Sequence, residues 1–184
     1  MLRRDRRLNA PDSSFTGSIL VAHPALGDPN FRRTLIFVSQ HQAEEGAMGF
    51  VLNRPLGETI PGPTGLPEIP VYHGGPVQPG KILLASLQWR TNPTVLAFRA
   101  FTGRPGEDSV DHEWLPGLRA FSGYSGWTPG QLEGEIAEKT WLVVPPSRDI
   151  IEMDRPQDIW KDIMRESGPM FHLLSEAPDE PWKN

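Results

Sequence analysis

The chain has 184 residues, no cysteine and a formal net charge of −5. The length suits one domain with its own core, and the missing thiols exclude a disulfide framework, thiolate metal sites and cysteine nucleophiles. The acidic balance runs against nonspecific nucleic-acid binding, and no stretch approaches the ~20 apolar residues of a membrane span.

Residues 1–14 open on Met1-Leu2-Arg3-Arg4-Asp5-Arg6-Arg7 with no apolar run behind it, which reads as a basic flexible N-terminal arm and not a secretion signal. An electrostatic contact with phosphates or acidic lipid is its sharper reading. Residues 15–22 read as a first strand, broken by His23-Pro24 because proline lacks the ladder N–H. Asp28-Pro29-Asn30 is turn chemistry. Residues 34–38 and 47–52 are β-branched and aromatic and predict an antiparallel hairpin. Asn53-Arg54-Pro55-Leu56-Gly57 ends the second of these. A Pro-rich polar loop follows to Pro70, long enough to be functional or mobile. Residues 71–73 form a short strand running into Gly74-Gly75-Pro76, where a sharp turn calls for a glycine at positive φ. Residues 81–87 and 95–101 are further strands, and 103–116 is a charged loop or weak helix.

Residues 119–123 predict a strand entering a turn at Tyr124-Ser125-Gly126-Trp127. Thr128-Pro129-Gly130-Gln131 then opens a helix, with Thr128 as N-cap, Pro129 at the first helical position and Gln131 completing a capping box. Leu132 and Ile136 give it an inner face, and Glu135 and Lys139 an exposed i,i+4 pair. Gly134 costs that helix about 1 kcal/mol relative to alanine, so close packing is expected there. Residues 141–144 read as a strand and 155–167 as a last helix capped by Asp154. Its apolar stripe is Ile159, Trp160, Ile163 and Met164, and Gly168-Pro169 ends it. Residues 175–184 read as an acidic, Pro-rich tail, leaving 15–174 as the single domain. Strands precede helices and do not alternate with them, which favours an α+β fold.

Three stretches, taken in order, carry a family resemblance. They are Ala22-His23-Pro24-Ala25-Leu26-Gly27-Asp28-Pro29-Asn30-Phe31 with Gly46-Ala47-Met48-Gly49-Phe50-Val51-Leu52-Asn53-Arg54-Pro55; Gly74-Gly75-Pro76-Val77; and Gly123-Tyr124-Ser125-Gly126-Trp127-Thr128-Pro129-Gly130-Gln131-Leu132-Glu133. Over residues 15–174 the chain resembles the YqgE/AlgH family of bacterial proteins. The resemblance implies a bifurcated, largely antiparallel sheet forming a pseudo-barrel, with helices packed on it. It implies no established enzyme activity, and a transcriptional-regulator label attaches to part of the family by name. The chain departs from the family pattern after Val77, where an Arg-Gly-Phe-Val-Leu-His-like run gives way to Gln78-Pro79-Gly80-Lys81-Ile82. It also carries Ser125 where alanine is common.

That departure bears on the chemistry. Gly123-Tyr124-Ser125-Gly126-Trp127 invites comparison with the nucleophile elbow G-x-S-x-G and fails it at Trp127. The helix start at Thr128 offers backbone N–H groups that an anion could meet, with Arg54 as partner. Among the His residues, 23, 41, 73, 112 and 172, no two have the spacing of a helical zinc site. His73 stands out beside Gly74-Gly75. The candidate binding residues are therefore Asn53, Arg54, His73, Gly74, Gly75, Gly126, Trp127 and Thr128, with no catalytic set, no metal and no cofactor expected. The function expected is that of a noncatalytic binding or regulatory interaction protein in the cytoplasm, its partner a protein or a small anionic ligand, with direct nucleic-acid binding disfavoured. A hydrolase or transferase acting on an anionic small molecule through His73, Arg54 and Ser125 is the alternative, and transcriptional regulation by family label the other.

Overall fold

A computed structural model describes residues 14–62, 67–91, 94–101, 110 and 112–176. Nine strands lie among them: β1 (Ile19–Ala22), β2 (Leu35–Gln42), β3 (Gly46–Val51), β4 (Pro55–Ile60), β5 (Ile69–His73), β6 (Val77–Thr91), β7 (Thr94–Phe101), β8 (Leu118–Trp127) and β9 (Trp141–Val144). Four helices join them: α1 (Gln131–Ala137), α2 (Arg148–Ile151), α3 (Ile159–Glu166) and α4 (Pro169–Ser175). The basic arm lies outside the described residues except for Ser14, and so does the acidic tail beyond Glu176.

The strands form one mixed sheet in the order β4-β5-β8-β3-β2-β1-β9, with β6 on β8 and β7 on β6. Every pairing is antiparallel except β5 with β8. The sheet curls into a half-barrel with the helices against it, as the α+β expectation required. Its bifurcation has one origin. Along β8, Ala120 to Ser122 pair with β5, and Ser125 to Trp127 pair with β3. Gly123 sits between the two at φ 70° and lets one strand serve both branches.

Strand β1 explains why the sheet has a core on each face. Ile19 and Val21 join Phe37, Phe50, Phe121, Trp160 and Met164 on one side. Leu20 and Ala22 join Ile36, Val51, Trp127, Leu132 and Trp141 on the other. Successive side chains of a strand point to opposite faces, so a strand buried on both reads as an unbroken apolar run. All four β1 residues are 0 % exposed. The stripe on α3 is core as its spacing predicted: Trp160 and Met164 are buried, and the Trp160 indole donates to Ala22 O at 2.8 Å, tying helix to sheet.

Several boundaries differ from those read in the sequence. The first strand begins at Ile19, because Gly17 (φ 83°) turns the chain just before it. The segment after Asn53 is not a loop from the outset: Pro55–Ile60 is an edge strand on β5. Its side chains are nearly all exposed, which removes the apolar alternation that marks a strand. Residues 124–127 continue β8 and form no turn. The helix expected over 155–167 is the shorter α3, Ile159–Glu166, preceded by Asp158 and not Asp154, and it is not the last, since α4 follows it. Helix α2, at four residues, is too short to show a period, and α4 follows a Gly168-Pro169 pair that reads as a stop. Pro169 lies beyond the end of α3 and opens α4, since its missing N–H is harmless in a first turn. Of residues 103–116, His112–Trp114 form a 3-10 turn, and 103–109 and 111 lie outside the described residues.

Candidate functional site

Asn53 and Arg54 leave the end of β3 and hold the preceding loop in shape. The Asn53 amide is buried, accepting from Leu35 N–H and donating to Arg33 O, both at 2.9 Å. The Arg54 guanidinium donates to three carbonyls of the Asp28–Arg32 turn: Pro29 O at 3.1 Å, Asn30 O at 2.7 Å and Arg32 O at 2.9 Å. That turn is itself closed by Asp28, whose carboxylate accepts from Asn30 N–H at 2.7 Å. Burial lowers the Arg54 pKa, and the neighbouring Arg32 lowers it further against the opposing pull of Asp28.

His73 ends β5 beside this clamp, its N–H donating to Arg54 O at 2.9 Å. Its imidazole pKa is lowered, first by burial and then by the Arg54 charge, so the neutral ring is favoured. Gly74 and Gly75 follow at the point where β3, β5, β6 and β8 converge. Gly74 N–H donates to Ser122 O at 2.9 Å, and Gly74 O accepts from Val51 N–H at 3.0 Å and from the Ser125 hydroxyl at 3.2 Å. A Cβ at Gly74 would lie 2.1 Å from Gly123 O, and one at Gly75 2.3 Å from the Tyr124 carbonyl. Gly75 has φ 151°, the positive value the sharp turn called for. The two glycines are therefore required by backbone packed on backbone. Ser125 is 0 % exposed with its hydroxyl bonded into the same junction.

Gly126, Trp127 and Thr128 sit elsewhere. Trp127 pairs with Ala47 at the start of β3, and Arg54 follows the end of that strand. From Ala47 to Val51 alone a strand runs about 14 Å. The structure thus gathers Asn53, Arg54, His73, Gly74 and Gly75 at one end of β3 and puts Gly126, Trp127 and Thr128 at the other.

The helix start there keeps half of the expected capping box. Gln131 Oε1 accepts from Thr128 N–H at 3.0 Å and from its hydroxyl at 3.2 Å, but Gly130 (φ 76°) takes the N-cap position. The exposed Glu135–Lys139 pair is replaced by something stronger. Glu135 Oε2 accepts from the indoles of both Trp127 (2.8 Å) and Trp141 (2.7 Å), and Oε1 accepts from Gln131 Nε2 at 2.9 Å. Gly134 has no neighbour within 4 Å of where a Cβ would stand, so the close packing expected there is absent. A second such anchor joins β2 to α1: His41 Nδ1 accepts from Phe15 N–H at 3.1 Å, which leaves Nε2 to donate to Glu133 at 2.9 Å.

Two features had no sequence signal. Arg119, near the start of β8, is only 8 % exposed and lies over the Tyr72 ring, 5.3 Å from its centroid. Helix α4 turns Met170, Leu173 and Leu174 outward, 71 %, 76 % and 42 % exposed. Among the described residues no group of three or more His, Asp or Glu side chains could hold a metal ion, and no helix is long and apolar enough to cross a membrane.

A family model described as AlgH-like matches residues 19–172. A UPF0301 protein of Streptomyces avermitilis is 34 % identical over 190 aligned positions, covering 94 % of this chain and 96 % of the relative. One from Thermobifida fusca is 33 % identical over 193, covering 93 % and 96 %. Two solved structures share the fold at 25 % identity and 94 % coverage of this chain. A crystal structure of a Corynebacterium diphtheriae protein is matched over 95 % of its length with a TM-score of 0.64. The solution structure of the AlgH protein from Pseudomonas aeruginosa is matched over 98 % with a TM-score of 0.58.

Proposed function

The chain belongs to the AlgH-like family, and from that premise we propose that it is a noncatalytic interaction protein that docks onto a protein partner through the apolar face of α4. The observation that carries this reading is the exposure of Met170, Leu173 and Leu174 on a chain whose other large apolar side chains are, Leu56 aside, covered among the described residues. Their i, i+3, i+4 spacing puts them on one face, the pattern by which a helix lies in an apolar groove. Glu176 at the end of that helix is paired with Arg165 at 3.4 Å, so the face offered to a partner is the apolar one, and the partner it fits is a protein that presents an apolar groove.

The polar groups of the junction support the same reading. Arg54 and Asn53 are bonded to backbone groups of the Asp28–Thr34 loop and its junction with β2. The hydroxyl of Ser125, the candidate nucleophile of the enzymatic alternative, is closed to a substrate. A regulatory role would be exercised through the partner, and a cytoplasmic setting belongs to the proposal on the ground of the cysteine-free sequence.

The test uses a photo-crosslinking residue at 173 in the native host, with one at the exposed Leu56 as control. The captured protein is identified, re-expressed and titrated against wild type and the Met170→Ser/Leu173→Ser variant. Both substitutions lie on the surface, so the melting temperature should hold while affinity falls at least about tenfold. Equal affinity for the two proteins, or crosslinks at 173 no more frequent than at 56, sinks the proposal.

A further inference from the structure

Helix α4 is anchored on one side and bare on the other. Phe171 packs against the main core and meets the His23 ring edge to face, with centroids 5.7 Å apart. Ser175 is fully buried, and its hydroxyl donates to His172 O at 2.7 Å. Glu176, just past the helix, pairs with Arg165 of α3 at 3.4 Å. These contacts fix which way the helix faces, so Met170, Leu173 and Leu174 stay on the solvent side. Apolar surface held in water is unfavourable until something covers it.

The chain itself offers a cover of the right size and reach. Ala177-Pro178-Asp179-Glu180-Pro181-Trp182 runs on directly from the end of α4, and Trp182 is the one large apolar side chain in it. Ala177-Pro178-Asp179-Glu180 has the letters of a tight turn, with proline at the second position to preset φ and aspartate at the third. Such a turn brings residue 180 back beside 177. Two further residues, at about 3.3 Å each, carry Trp182 roughly 7 Å along the helix. At a rise of about 1.5 Å per residue that is the level of Leu173. One indole covers about 150–250 Å², the scale of this small face. A second copy of the chain would need about 20–30 residues a side for a stable contact, and the face has three exposed apolar side chains.

We propose that the C-terminal segment folds back on α4 and seats Trp182 against Leu173 and its neighbours Met170 and Leu174, so that the docking face is covered until a partner's groove displaces it. The segment is then a competitor built into the chain. It lowers the apparent affinity for a partner in proportion to the uncovered fraction that is left. That regulatory consequence rests on α4 being the docking helix; the contact itself does not.

NMR spectra of the full chain with labelled Met and Leu methyl groups read the contact without any partner. Trp182→Ser should remove the ring-current shift of the indole and move the methyl signals of Met170, Leu173 and Leu174, leaving those of the exposed Leu56 where they are. A photo-crosslinking residue at 173 in the purified chain should link to residues 177–184 of the same molecule, at a yield independent of protein concentration. Toward the partner captured at 173, Trp182→Ser should bind at least about threefold tighter than wild type, the gain when the covered form holds two-thirds of the molecules. Unmoved methyl signals, or no link within the molecule, refute the fold-back whether or not α4 docks a partner. Links between two chains that rise with concentration overturn it in favour of a second copy. Moved signals with equal partner affinity refute the competition. A chain that shows the shift and the link but captures no partner upholds the cover and sinks the docking reading alone.

Discussion

Replacing Glu135 with alanine removes one carboxylate and orphans two indoles. Trp127 and Trp141 are 7 % and 3 % exposed, and both donate to the same oxygen, at 2.8 and 2.7 Å. The rings meet edge to face with centroids 6.3 Å apart, so neither can swing out to water without dismantling the core on that face. A hydrogen bond to a charged acceptor contributes about 1.5–3 kcal/mol. Glu135 is half-exposed, and water entering the vacated space recovers part of that, so the loss for Glu135→Ala should be about 2–4 kcal/mol for the pair of bonds. In a domain of this size each kcal/mol lowers the melting temperature by about 2–4 °C, giving a fall of about 4–16 °C. Glu135→Gln should lie between, because one amide oxygen can still accept from the indoles. Urea unfolding followed by tryptophan fluorescence measures the difference. A double-mutant cycle with Trp127→Phe isolates the pair. A Glu135→Ala protein within about 0.5 kcal/mol of wild type, the ordinary range for surface substitutions, would refute the hub, and so would a loss that is unchanged in the Trp127→Phe background.

Gly74→Ala should prevent folding or cost more than about 4 kcal/mol, since the new methyl would stand 2.1 Å from a backbone oxygen that cannot move without parting the sheet; soluble yield and a circular-dichroism melt report it. Gly134→Ala should act in the opposite direction and stabilise α1 by about 0.5–1 kcal/mol, because the helical position is open and only the propensity changes; urea midpoints at constant slope give the sign. His73 has a folded pKa below its ordinary value of 6.5, so the unfolded chain binds the extra proton first. Stability is then fully present above pH 6.5 and is lost as pH falls through the folded pKa. His73→Gln should flatten that decline relative to wild type, and parallel slopes for the two proteins in urea melts below pH 6.5 would contradict the assignment.

What could be read from the residues is instructive in its unevenness. The β2–β3 hairpin, β9 and the α3 stripe were visible because each buries an apolar face and pays for its place with local pattern. Strand β4 was invisible because an exposed edge strand has no buried face to mark it. The bonds of Asn53 and Arg54 within the chain are not legible in the sequence: the groups they meet are backbone carbonyls and an N–H some 18 to 25 positions away, and a carbonyl has no residue-specific letter. Glu135 was misassigned for a related reason. The i,i+4 rule looks along one helix, and its true partners stand on β8 and β9.

By itself the chain's order of letters determined the class of fold, the apolar first strand, the absence of thiol chemistry and the sharp turn at Gly74-Gly75. Those properties depend on local torsion preference and on how much apolar surface each segment must hide, both of which are written residue by residue. Tertiary structure alone decided that Arg119 lies buried over the Tyr72 ring, that the candidate residues fall at two ends of β3, and that α4 keeps an apolar face uncovered. Each is a statement about which distant groups become neighbours, and proximity is set by the summed packing of the sheet and its helices.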